Sequence, residues 1–122
     1  MSAGRQISNA EARLIISGWR DSGVVIKSQC EIEPVAFSFR GRIVEFSDSR
    51  RVRFLNVDGR AEFAFDIGDD FDCWYLEPRD FPEDAKTTVC ALTFFFSRRT
   101  GLPKDADFIV LSELALAILN SN

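Results

Sequence analysis

The sequence predicts an α+β domain: an N-terminal helix, about six mostly antiparallel strands forming a strongly bent sheet or small open barrel, and a C-terminal helix. Three observations predict it. A capped stripe of apolar residues at helical spacing opens the chain, alternating apolar and polar residues follow, and a Leu- and Ala-rich segment closes it. At 122 residues the chain reads as a single domain, 1–122. Folding at this size buries roughly two-thirds of the unfolded surface, enough for one core.

Residues 1–7 read as a loose arm. Ser8-Asn9-Ala10-Glu11 is a capping box, in which the Ser8 hydroxyl and the Glu11 side chain each satisfy a backbone N–H of the other residue. The helix that follows places Ala12, Ile15, Ile16 and Trp19 on one face, and Asp21-Ser22-Gly23 stops it. From Val24 the period changes to two, giving a half-buried strand that Pro34 breaks. The next strand starts on odd apolar positions (Val35, Phe37, Phe39) and continues on even ones (Val44, Phe46). Gly41 sits where the phase slips and is read as the site of a bulge.

The segment from about 43 to 67 reads as a three-stranded meander. Asp58-Gly59 is the pair a two-residue type I′ turn wants, flanked by Val57 and Arg60. That turn sets Phe54 against Phe63, Val52 against Phe65, Arg51 against Asp66 and Leu55 against Glu62, so apolar mostly meets apolar and plus meets minus. The preceding hairpin, with the loop Asp48-Ser49-Arg50, sets Phe46 against Val52, Val44 against Phe54 and Glu45 against Arg53. After a turn at Gly68-Asp69-Asp70, Phe71 to Leu76 is a strand, and residues 77–84 form a polar loop with two prolines. Thr87 to Ser97 is apolar on both faces and is expected to be a central strand covered on both sides. Asp107 to Asn120 is read as mostly helix, with Phe108 to Leu111 equally readable as a further strand.

Composition removes many functions. The chain has no His, which excludes Ser-His-Asp and Cys-His catalysis and His-ligated metals. No Walker loop and no GxGxxG occurs. Three well-separated cysteines without a CxxC encode neither a zinc ribbon nor a redox motif. Cys90 is expected to be a buried, inert thiol, with Cys73 less clearly so. The first residues carry no long apolar stretch, and Phe108 to Leu119 is too short to span a bilayer, so a cytoplasmic, membrane-free chain is expected. The net charge of −4 argues against a general nucleic-acid binder. Charge is nevertheless segregated along the chain: residues 40–60 carry six Arg against Glu45, Asp48 and Asp58, whereas residues 62–84 carry nine acids against Arg79.

Gly41-Arg-Ile43-Val44-Glu-Phe46-Ser-Asp48 followed by Val52-Arg-Phe54-Leu55, after a helix and a first strand, resembles the first half of an Sm-like β-barrel. The likeness spans residues 41–55, and the second RNA-contacting motif of that family has no counterpart here. Cyclic-dinucleotide-binding PilZ-like domains need Arg-x-x-x-Arg followed by (Asp/Asn)-x-Ser-x-x-Gly; Arg-rich segments occur here, but the second motif does not. Membership of neither family follows.

Arg40, Arg42, Arg51 and Arg53 are the candidate ligand-binding residues, because guanidinium forks fit phosphate and carboxylate. The competing reading is a solvated face already neutralised by Glu45 and Asp66. Asp66, Asp69, Asp70 and Asp72 crowd one turn but lack the order of a calcium loop, and no metal or other cofactor is expected. Twelve Phe, three of them consecutive at Phe94-Phe95-Phe96, together with Leu111–Leu119, exceed what one small core needs. The sequence therefore points to a non-enzymatic protein–protein association module that forms a homodimer. The alternative is a small-molecule or anionic-ligand binding domain using the concave sheet face. An enzyme using paired carboxylates is the least supported reading.

Overall fold

A computed structural model describes residues 4–32, 35–47, 50–67, 71–80, 86–95 and 107–115. In chain order the elements are β1 (Arg5–Ile7), α1 (Asn9–Ser22), β2 (Val25–Ile32), β3 (Val35–Ser47), β4 (Arg51–Asn56), β5 (Glu62–Asp66), β6 (Asp72–Leu76), a single 3-10 turn (Pro78–Asp80), β7 (Thr88–Phe95) and β8 (Asp107–Leu114). The eight strands form one antiparallel sheet in the order β1-β6-β7-β8-β2-β3-β4-β5, open between β1 and β5. The fold is therefore mostly β, with one helix among the described residues.

The helix forms for the reasons its sequence gives. Ser8 Oγ accepts from Glu11 N at 3.1 Å, and a Glu11 carboxylate oxygen accepts from Ser8 N at 3.5 Å. Gly23, in the left-handed region at φ 69°, caps the other end by donating its N–H to the Trp19 carbonyl. Ala12, Ile16 and Trp19 are buried and Ile15 packs beside them, as the spacing predicts.

The sheet curls strongly. Five strand spacings separate β5 from β7, about 24 Å in a flat sheet. The Phe65 and Phe94 rings of those two strands nevertheless lie 6.4 Å apart, centroid to centroid. Helix α1 packs against both β3 and β6, so it bridges the two arms of the curl. The enclosed core takes alternate residues from each strand: Ile26 from β2, Ile43 and Phe46 from β3, Val52 and Phe54 from β4, Cys73 from β6, Leu92 and Phe94 from β7, Ile109 and Leu111 from β8. Each fully buried Phe or Leu contributes roughly 1.5–3 kcal/mol by leaving water.

The meander has the register its charges and rings predict. Phe54 pairs with Phe63, Val52 with Phe65, Arg51 with Asp66 and Leu55 with Glu62. Phe46 pairs with Val52 and Glu45 with Arg53. The turn itself differs from expectation. Val57-Asp58-Gly59-Arg60 is a four-residue loop in which Asn56 N donates to the Ala61 carbonyl and Gly59 N to the Asn56 carbonyl. The Asn56 side-chain oxygen accepts from Arg60 N and Ala61 N, which favours the longer loop. Adding one residue to each side of a turn leaves the pairing unchanged, so the register survives the change of turn.

Four further expectations are corrected. The bulge falls at Val44, between the pairs Ile43–Phe54 and Glu45–Arg53, so Ile43 and not Val44 opposes Phe54. Gly41 serves a different purpose, because a Cβ there would lie 2.8 Å from the Leu55 carbonyl carbon and 2.9 Å from a Phe39 ring carbon. Glycine at this position is what permits β4 to approach. Asp107–Leu114 is a strand and not the start of a helix. Its residues alternate, Ile109 and Leu111 facing the core and Phe108 and Val110 facing out, and the strand preference of Phe108, Ile109 and Val110 acts with pairing to both β7 and β2. Residues 116–120 of the expected helix lie outside the described residues. Finally, Arg5–Ile7, expected to be part of an arm, is strand β1 paired to β6, which with β8 raises the count from six to eight.

Candidate functional site

The sequence-predicted arginines sit on the outward face of the curl. Arg40 and Arg42 share that face of β3, and Arg51 and Arg53 share it on β4. Three of the four are engaged. Arg51 Nε lies 3.1 Å from an Asp66 oxygen, Arg53 Nε lies 2.9 Å from Glu45, and Arg53 also reaches Glu62 at 3.5 Å. Arg42 Nε donates to the Gly23 carbonyl at 3.0 Å, clamping the end of α1 to β3. Hydrogen bonds from Ser47 and then Arg53 hold the Glu45 carboxyl below its usual range. Arg40 is exposed. The structure thus brings Arg51 and Arg53 together with acids on a solvated face and gives Arg42 a separate duty. Among the described residues no group of His, Cys, Asp and Glu is placed to hold a metal ion. The residues of the acidic turn between Ile67 and Phe71 lie outside the described ones.

Inside the rim of the curl lies a polar chain that the sequence pattern does not announce. Glu113 of β8 takes an inward position, opposite Ile26 of β2 and Cys90 of β7. Its Oε1 accepts from the Trp19 indole at 3.0 Å and from the Cys90 thiol at 3.6 Å. Cys90 and the Tyr75 hydroxyl lie close enough to perturb each other's ionisation. Burial, then the Glu113 charge, pushes the Cys90 thiol up to about 11, and burial pushes the Cys73 thiol to about 12. Tyr75 is raised by burial and then by Cys90. Neither thiol is poised as a nucleophile. Glu113 does not stand out in the sequence because residues 107–120 read as helix, where an acid is unremarkable. The one signal for it is a lone carboxylate interrupting the apolar run from Phe108 to Leu119.

Two clefts flank this chain of polar groups. One, of about 320 Å³, lies beside β1 and is lined by Arg5, Tyr75, Glu77 and Arg79. Its charges satisfy one another: Arg79 reaches Glu77 at 3.3 Å, and the Arg5 guanidinium lies over the Tyr75 ring at 5.3 Å and reaches Glu11 at 3.6 Å. The other, of about 430 Å³, lies between the end of α1 and the ends of β7 and β8, and includes Gly23, Val24, Arg42, Val89, Glu113 and Leu114.

The outward face of β6, β7 and β8 is largely uncharged, with Asp72 at one edge opposite Phe95. Trp74, Thr93 and Val110 sit side by side on neighbouring strands, and Leu76 aligns with Ala91 and Ser112. Phe95 and Phe108 are paired with ring centroids 6.0 Å apart. Trp74, Leu76, Thr93, Phe95, Phe108 and Val110 are all only partly buried.

Set against family models, curated proteins and solved structures, the chain matches none. No helix among the described residues is long and apolar enough to cross a membrane. Fold and site therefore define the molecule as an open, curled antiparallel sheet with one helix packed against it, and no metal-holding cluster occurs among its described residues.

Proposed function

We propose that this chain is a non-enzymatic association module that pairs with a second copy of itself through the outward face of β6, β7 and β8. The observation that carries this reading is the uncharged, partly exposed row Trp74–Thr93–Val110 with the Phe95–Phe108 pair beside it and Asp72 only at the edge. Contiguous apolar surface of this kind marks interaction sites on soluble proteins. A second copy is the partner this face suits, because a two-fold interface turns one patch onto itself and so favours a patch with little charge. That arrangement is costly for a charged surface such as β3–β5 and tolerable for an uncharged one. Aromatic anchors such as Trp74 are the residues that carry most of the energy in such interfaces. Sedimentation velocity at micromolar concentration gives a dimer on this reading. Trp74→Glu gives a monomer with an unchanged far-ultraviolet circular dichroism spectrum, whereas a monomeric parent chain overturns the proposal.

A further inference from the structure

The 430 Å³ cleft at the end of α1 differs from its neighbour in holding charges that no ion pair satisfies among the described residues. Arg42 enters it from β3 and Glu113 from β8, and among those residues the two make no ion pair with each other or with any other side chain. Both are fixed. The Arg42 Nε is tied to the Gly23 carbonyl, which leaves both terminal nitrogens of its fork to face a ligand. Glu113 is held through Oε1 by Trp19 and Cys90, which leaves Oε2 as an acceptor. Between them the wall is aliphatic: Val24, Val25, Val89 and Leu114, with Val89 47% exposed although it is apolar. The C-terminal end of α1 adds partial negative charge on the Gly23 side, which the Arg42 guanidinium bonded to the Gly23 carbonyl offsets. The volume falls within the range of small-molecule sites.

We propose that this cleft binds a small zwitterion with an aliphatic body, of the class of the branched apolar α-amino acids. The carboxylate lies on the Arg42 fork, the ammonium lies on Glu113 Oε2, and the side chain lies against Val24, Val89 and Leu114. A ligand of one charge would leave the opposite charge of the cleft unanswered. An ion carrying both answers both without changing the net charge of the chain. The site is separate from the face proposed for self-association, so either proposal can fail alone.

The test is titration of the full chain with L-leucine, read by calorimetry and by chemical-shift changes of the valine and leucine methyls. Isopentylamine and isocaproate, which are leucine without its carboxylate and without its amine, serve as the single-charge probes. Leucine binds with one site per chain and moves the Val24 and Val89 methyls, while each single-charge probe binds at least about tenfold more weakly. Glu113→Gln keeps an acceptor for the Trp19 indole, so the fold persists. It loses leucine affinity by about tenfold or more and retains isocaproate binding, and Arg42→Gln loses leucine and retains isopentylamine. No binding of leucine by the parent chain, unchanged leucine affinity in folded Glu113→Gln, or equal affinity for leucine and isopentylamine each overturns the proposal.

Discussion

Ser28 is fully buried on the inward face of β2, between Ile26 and Cys30, and its hydroxyl has no hydrogen-bond partner among the described residues. A polar group desolvated without compensation costs about 1–3 kcal/mol. Ser28→Ala removes the hydroxyl and almost no volume, so it is expected to stabilise the fold by up to about 1 kcal/mol, measured as a rise in the urea midpoint at constant m. Destabilisation by that substitution would show that the hydroxyl has a partner in solution. Cys73 makes a second residue-scale prediction. Burial raises its thiol from the ordinary 9.0 to about 12. Between those values the unfolded chain has lost the proton and the folded chain keeps it, so the unfolded state binds fewer protons. Stability is full below pH 9, and falls by about 1.4 kcal/mol per pH unit above it for this one thiol. Cys90, also raised, adds in the same direction. Denaturation melts from about pH 8 to 10.5 check the slope, and Cys73→Ala flattens it.

Among the elements, the β3–β5 meander is the one most open to mutation. Phe54 is fully buried against Phe63 and Phe65, with ring centroids 5.7 and 6.2 Å away. Phe54→Ala is expected to cost about 3–5 kcal/mol in chemical denaturation. Asp66→Asn removes an exposed pairing with Arg51 and is expected to cost less than about 1 kcal/mol. Gly59→Val places a β-branched residue at φ 74° and is expected to cost about 1–2 kcal/mol through backbone strain alone, since nothing crowds the site. These strands are legible in the sequence because their register is written locally, in facing charges and facing rings. Strand β1 is not, because three residues carry no period of their own and exist as a strand only by pairing with β6. Strand β8 reads as helix because it runs into the Leu- and Ala-rich residues 114–119, although Phe108, Ile109 and Val110 favour strand and two long-range ladders decide its conformation. The bulge is ambiguous because Gly41 and Val44 both lie at the phase slip, and only the close approach of Leu55 shows what the glycine is for. Glu113 is hidden with the strand that carries it. The arginines are visible in composition, yet composition does not state which face of the curl they occupy.

For the molecule as a whole, the strand order separates neighbours in space from neighbours in sequence. One arm, β2 through β5, is a run of hairpins. The other, β6 and β7 with β1 at its edge, gathers segments that lie far apart along the chain. Such a topology places the fold among slow folders, with relaxation expected in milliseconds to seconds in stopped-flow refolding. A single exponential in microseconds would contradict the topology.

Strand β8 follows every other described element in chain order, yet it occupies the middle of the sheet, between β7 and β2. During synthesis at about 5–20 residues per second, each arm emerges with a raw interior edge and nothing to join it. Neither arm can join the other into one sheet until residues 107–114 are available to lie between them. A stalled or shortened product ending before Asp107 leaves the edges of β2 and β7 bare, and it is destined for chaperones or aggregation.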